Sequence, residues 1–297
     1  MHKLIVLSVA ALLLAACGQP KPEETAELAA VTEEAETDFA EARSLELVWM
    51  ASGFEQPEGA ALAPDGSYFI SNIGPGDSGA LDGNGYVSKL KADGSLETAR
   101  FAEGLHAPTG MVVKDGVLYV ADRDGVAMID AATGTSQGKV LIEGVQFLND
   151  VTEWKGDILV SDSGTGAIHK VTPDGASPFA SSADWAGING ILGDGDRLLI
   201  TTMTDGKLID MRGPGAETVI AAGMKDADGV GLVPGGGYLV SSWPGEIYHV
   251  SEDGVVTMMV DTKADGILQN DLSVFGDVVI VPNWEPGTVT AWKIVGE

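Results

Sequence analysis

A short motif recurs six times along this chain of 297 residues, and its spacing constrains the fold more than any other feature. Aligned on their second residue, the copies fall at Glu58, Thr109, Asn149, Asn189, Asp228 and Asn270, in steps of 51, 40, 40, 39 and 42 residues. A glycine that opens a strand-like run recurs in step with them, at Gly85, Gly125, Gly166, Gly206, Gly245 and Gly287. A period near forty marks a repeat in which each unit is one small sheet, unable to bury its faces alone and stable only when stacked on its neighbours. Asp65-Gly66 and Asp115-Gly116 stand between the anchors, followed by apolar runs. Asp-Gly is a strong hairpin signal because glycine accepts the positive φ of a tight turn. Later turns of the same kind, at Asp93-Gly94, Asp174-Gly175 and Asp253-Gly254, lead into a fourth strand. The sequence therefore predicts an all-β chain: a six-bladed β-propeller of four-stranded antiparallel blades.

The last copy runs out of chain after three strands. The segment 45–54 resembles the fourth strand of the first blade, 96–105, and precedes the first repeat. It is expected to complete the last blade and close the ring, which removes the sheet edges that invite aggregation. Blade one carries about ten extra residues, at 73–84, after its second strand. They fall on the same end of the propeller as the aligned motif, where they either cover the channel mouth or form a neutral insertion.

Ahead of the repeats, Lys3 is followed by an apolar run from Leu4 to Ala16, too short to span a membrane. This reads as a signal peptide over 1–16. Its end, Leu14-Ala15-Ala16-Cys17, resembles a bacterial lipoprotein processing box, which implies cleavage before Cys17 and lipid attachment to its thiol. Gly18 after the cysteine favours, by the same resemblance, the outer membrane facing the periplasm. Segment 17–44 is acidic and poor in aromatics, and is expected to be a disordered tether to the domain at 45–297. Cys17 is the only cysteine, so no internal disulfide can form. The net charge of −27 excludes nucleic acid as a natural partner and favours cations and neutral ligands. A monomer acting on a small molecule is expected, with membrane contact through Cys17 alone.

Five of the six aligned residues carry carboxylate or carboxamide oxygens. Asn and Asp before glycine also form ordinary turns, but the recurrence at equivalent positions points these oxygens toward one axis. Hard oxygen donors of mixed charge suit Ca²⁺, which takes six to eight of them. Glu58 and Asp228 would match the ion's charge, and Asn149 and Asn189 would add neutral oxygens. No group of histidines accompanies them, which disfavours zinc. Asn270 is open between metal, substrate and a bracing role. Asp122, Asp162, Trp243 and Trp284 are expected near the rim on the same face.

The order Glu58, Asn149, Asn189, Asp228 resembles that of the calcium-dependent six-bladed propeller hydrolases: the gluconolactonase/regucalcin family, with paraoxonase and diisopropyl fluorophosphatase as relatives. That resemblance implies hydrolysis of a lactone or related ester, with these four residues around one catalytic Ca²⁺; a carboxylate at the ion would activate water or attack directly, and Asp228 is expected in that role, with Glu58 mainly a ligand. Thr109 stands where the regucalcin branch commonly has Asn. The substrate side of the site is expected from Thr109, His106, Asn270, Asp122 and Trp243. The rival expectation is a tethered propeller that binds an envelope partner or metabolite around a structural calcium, since fold does not fix function.

Overall fold

The computed structural model describes residues 43–296. Cys17, the leader 1–16 and nearly all of the tether 17–44 lie outside the described residues. The six blades are there, five of them four-stranded antiparallel meanders and the sixth completed by the N-terminal strand. Blade one runs through Pro57–Leu62, Tyr68–Asn72, Gly85–Leu90 and Leu96–Leu105, from the axis outward. Blade six ends as the sequence predicts: Ser44–Ser52 pairs antiparallel with Thr288–Val295 and supplies the outermost strand. Its innermost strand is interrupted, with Leu268–Gln269 and Ser273–Phe275 flanking a break at 270–272.

Side-chain alternation explains how a flat blade becomes part of a solid ring. Successive residues of a strand face opposite sides of its sheet. In Arg197–Thr202 of blade four, Leu198 and Ile200 pack toward blade three while Leu199 packs toward blade five. In Asp157–Asp162 of blade three, Ile158 and Val160 face blade two and Leu159 faces blade four. These second strands are therefore buried on both faces, which is why their sequences read as apolar runs. One apolar cluster fills each gap between neighbouring blades. The gap that closes the ring holds Phe54, Tyr68 and Ile70 of blade one against Ile280 and Val289 of blade six.

In blades one, three, four and five the innermost strand departs from regular pairing at one place, and that place is the aligned motif. In blade one the ladder pairs Pro57 with Asn72 and Ala60 with Ile70, so Glu58 and Gly59 together oppose Ser71. In blade three Asn149 and Asp150 oppose Ser161. In blade four Asn189 and Gly190 oppose Thr201, and in blade five Asp228 and Gly229 oppose Ser241. Each is a β-bulge, two residues against one, which bends the strand and re-aims a side chain.

Candidate functional site

The bulges turn Glu58, Asn149, Asn189 and Asp228 into one cavity of about 340 Å³ at the axis, and Asn270 joins them from the break in blade six. All five are buried. The residues that sequence spacing placed at one hub, up to 212 residues apart along the chain, are thus brought together.

A hydroxyl lies under each of these bulges. Ser71 Oγ accepts the N–H of Gly59 at 2.8 Å, and Ser241 Oγ accepts that of Gly229 at 2.9 Å. Ser161 Oγ accepts the N–H of Asp150 at 2.9 Å and donates to the carbonyl of Asn189 at 2.7 Å. Thr201 donates to the carbonyl of Asp228, with that of Gly190 at 3.3 Å. A bulged residue loses its ladder partner, and the hydroxyl replaces it, so the donor side chain is held in one direction. Blade two has Ala121 at this position and offers no hydroxyl. There the Gly110 N–H bonds to the carbonyl of Asn149 instead. The four blades with a hydroxyl staple are the four that present Glu58, Asn149, Asn189 and Asp228. Sequence reading did not single these hydroxyls out, although Ser or Thr stands twelve or thirteen residues after each donor.

The electrostatics of the hub are dominated by carboxylates crowded away from water. Burial holds Glu58 well above the usual carboxylate range, and the charges of Asp271, Asp228 and Asp150 add to it. Burial also pushes Asp228 up to about 7, with Asp150 repelling and the Asn189 amide pulling back. Glu58 Oε2 and Asp228 Oδ1 are buried with no hydrogen-bond partner. Uncompensated buried charge is costly, and a cation among these oxygens would remove the cost. Among the described residues, no three His, Cys, Asp or Glu side chains group closely enough to hold a metal ion. A metal here must draw on the amides of Asn149 and Asn189 as well as the two carboxylates. That mixture of hard oxygens fits Ca²⁺.

Asp150 and Asp271 are further carboxylates that the sequence reading did not assign a role. They follow Asn149 and Asn270 directly, at positions where the other four blades have glycine. Their oxygens fill the space a Cβ on Gly110 or Gly229 would need. They line a second cavity further along the channel, among Met111, Val151, Ile191 and Leu272. Burial raises Asp150 to about 7, against the stabilising N–H groups of Ile191 and Val151. Burial likewise places Asp271 well above its ordinary range, with Asp150 and Asp228 contributing.

The expected substrate-side residues divide. Trp243 lines the donor cavity, with Trp284 edge-on to it at 6.0 Å between ring centroids. Asp122 does not line it. It is fully buried, its carboxylate accepts the N–H groups of His106, Ala107 and Arg123, and Lys139 Nζ stands 2.6 Å away. Asp162 repeats the device on Gln146, Phe147 and Gly164. Both carboxylates tie the approach loops of their own blades, so neither is free for a ligand. Thr109 is buried and donates to the carbonyl of Leu148. His106 stands outside the cavity, where its Nδ1 accepts the N–H of Gly83 at 3.1 Å and fastens the blade-one insertion. That insertion lies on the donor face and contributes Ile73 and Ser78 to the cavity wall.

No protein-family model matches the chain, and no curated protein matches its sequence. Solved structures share its fold. A gluconolactonase from Xanthomonas campestris is 15% identical with a TM-score of 0.63, over 84% of this chain and 89% of that one. A putative gluconolactonase is 17% identical with a TM-score of 0.63, over 87% and 94% of the two chains. Virginiamycin B lyase from Staphylococcus aureus is 12% identical with a TM-score of 0.61, over 86% and 100%. The gluconolactonase resemblance of the sequence thus fits the structural neighbours, whose enzymes span more than one kind of chemistry.

Proposed function

We propose that this propeller is a calcium-dependent hydrolase of a lactone or related ester. The observation that carries the reading is the pair of buried, unpartnered oxygens, Glu58 Oε2 and Asp228 Oδ1, in one cavity with the amides of Asn149 and Asn189. Those four side chains would hold the ion. When bound, it would supply Lewis-acid polarisation of the scissile carbonyl. Glu58 and the two asparagines orient the substrate oxygen over the hub. The Asp228 carboxylate takes a proton from water as the water oxygen bonds to the carbonyl carbon. The ring C–O bond then breaks, and the proton passes to the departing alkoxide, giving a hydroxy acid. The tryptophan wall limits bulk water at the reacting atoms. We further propose that Cys17 is lipidated and anchors the chain at the outer membrane, facing the periplasm.

The test is a lactone panel assayed with and without a chelator, beside calorimetric titration with Ca²⁺. Turnover that chelation stops and Ca²⁺ restores supports the hydrolase. Metal binding that stabilises the fold without turnover of any lactone or ester favours a non-catalytic binding platform.

A further inference from the structure

The wall of the donor cavity is chemically unlike its floor. One position per blade, at the end of the second strand or directly after it, builds most of it: Ile73, Met203, Trp243 and Trp284 come from blades one, four, five and six. Phe147 closes the side toward blade three. Among the described residues, no cationic side chain lines this cavity, and Ser78 brings the only hydroxyl. Phe147 also borders a neighbouring groove of about 760 Å³ with Leu81, Ile142 and Val145 along it. Arg123 sits at the groove edge, where it donates to the carbonyls of Gly79 and Gln146 and lies 5.7 Å from the Phe147 ring centroid. Asp124, also at the edge, pairs with Lys139 at 2.8 Å. The groove thus offers an incoming molecule the side chains of Phe147, Leu81, Ile142 and Val145, with Arg123 turned to backbone carbonyls and Asp124 held by Lys139 at its edge.

The blade-one insertion spans both compartments. Ile73 and Ser78 face the donors, and Gly79 and Leu81 face the groove. Arg123 at Gly79 and His106 at Gly83 bolt it down at two points. We propose that the insertion and the Phe147 loop form a subsite for an apolar substituent. The substrate is then a lactone or ester bearing an alkyl or aryl group, with that group running from the donors over Phe147 toward Leu81. A polyhydroxylated sugar lactone fits poorly, because its hydroxyls would lose water against walls without partners for them. This inference rests on the hydrolase reading for its reaction, but not for the apolar binding itself.

The test compares γ-butyrolactone, γ-hexalactone and γ-decanolactone with glucono-δ-lactone on the full chain. It adds the binding of matching alkyl γ-lactams, which are not turned over, read by tryptophan fluorescence. About 0.8 kcal/mol per buried methylene corresponds to a three- to fourfold gain each. The expected result is kcat/KM rising with chain length until the groove is filled, with lactam affinity following. Leu81→Ser should lower the decano-to-butyro ratio by threefold or more. Leu81 is 63% exposed, so folding is not at stake. Faster turnover of glucono-δ-lactone than of γ-decanolactone overturns the subsite and leaves the hydrolase standing. So does a ratio unmoved by Leu81→Ser. If no ester is hydrolysed, the hydrolase reading falls, and lactam binding decides the subsite: affinity rising with chain length upholds it, and flat affinity overturns it.

Discussion

Ser161 donates its hydroxyl to the backbone carbonyl of Asn189 at 2.7 Å, and so links the second strand of blade three to the bulge that aims a donor from blade four. The same oxygen accepts the N–H of Asp150. One small side chain therefore fixes two bulges around the hub without touching the cavity itself. Ser161→Ala leaves a buried N–H and a buried carbonyl unpaired, at about 1–3 kcal/mol of stability. Because the bulges set where Asn149 and Asn189 point, Ca²⁺ affinity should fall roughly 10–100-fold, the usual effect of losing an outer support of a metal ligand. Calorimetric titration and urea denaturation check both parts. Undiminished affinity would show that the bulges hold their direction without the hydroxyl.

The carboxylates make metal-free stability depend on pH in an unusual direction. Burial raises Asp150 and Asp228 to about 7, and Glu58 and Asp271 lie above their ordinary range as well. A raised carboxylate binds its proton more tightly in the folded chain than in the unfolded one. Its contribution is complete below the ordinary carboxylate pKa and is lost as pH climbs through the folded value. The chelated protein should therefore lose stability between about pH 4 and 7. Ca²⁺ competes with those protons, so the stabilisation it gives should be larger at pH 8 than at pH 5. Thermal melts at the two pH values, with metal and with chelator, measure the difference. Equal metal stabilisation at both would mean that the ion does not bind these groups.

Asp228→Asn separates stability from function. It removes one of the crowded buried charges, so the chelated variant should be more stable than the parent at pH 8, on the order of 2 kcal/mol. It also removes the oxygen proposed to take the proton and one charge toward the ion. Turnover should be lost and Ca²⁺ affinity should drop. A variant that keeps full lactone turnover would displace Asp228 from the catalytic role.

The repeat made the blades legible because each Asp-Gly turn and each apolar run answers to local physics that recurs at a fixed spacing. The donors were legible for the same reason: equivalent positions in equivalent blades meet at one axis. Direction was the harder part. Asp122 and Trp243 read alike as ends of second strands, yet Trp243 stands one position further along its repeat than Asp122. A shift of one residue along a strand exchanges its faces. Asp122 therefore turns in to hold its own approach loop while Trp243 walls the cavity. The staples Ser71, Ser161, Thr201 and Ser241 were hidden because serine and threonine in a strand carry no mark until a bulge is known to lie opposite. Asp150 and Asp271 were hidden in a different way. Each follows a residue already placed at the site, and only the backbone shows that Asn149 and Asp150 border different cavities.

Gly190 tests how tightly the hub is drawn. The inner strands of blades four and five approach so closely that a Cβ on Gly190 would stand 2.6 Å from the carbonyl oxygen of Asp228 and 3.0 Å from Gly229 Cα. Both neighbours are backbone, so no side chain can swing aside. Gly190→Ala must push the Asp228 bulge away from Asn189, the residue whose amide moderates Asp228. Forced overpacking of this kind costs about 1–3 kcal/mol. The displacement should reach the donors themselves, so Ca²⁺ affinity should fall along with stability. Gly66→Ala provides the comparison. Its φ of 83° makes alanine strained there, but nothing lies within 4 Å of the added Cβ. That variant should lose stability while keeping the affinity of the parent. If the two variants change affinity alike, the close packing of the inner strands does not set the geometry of the donors.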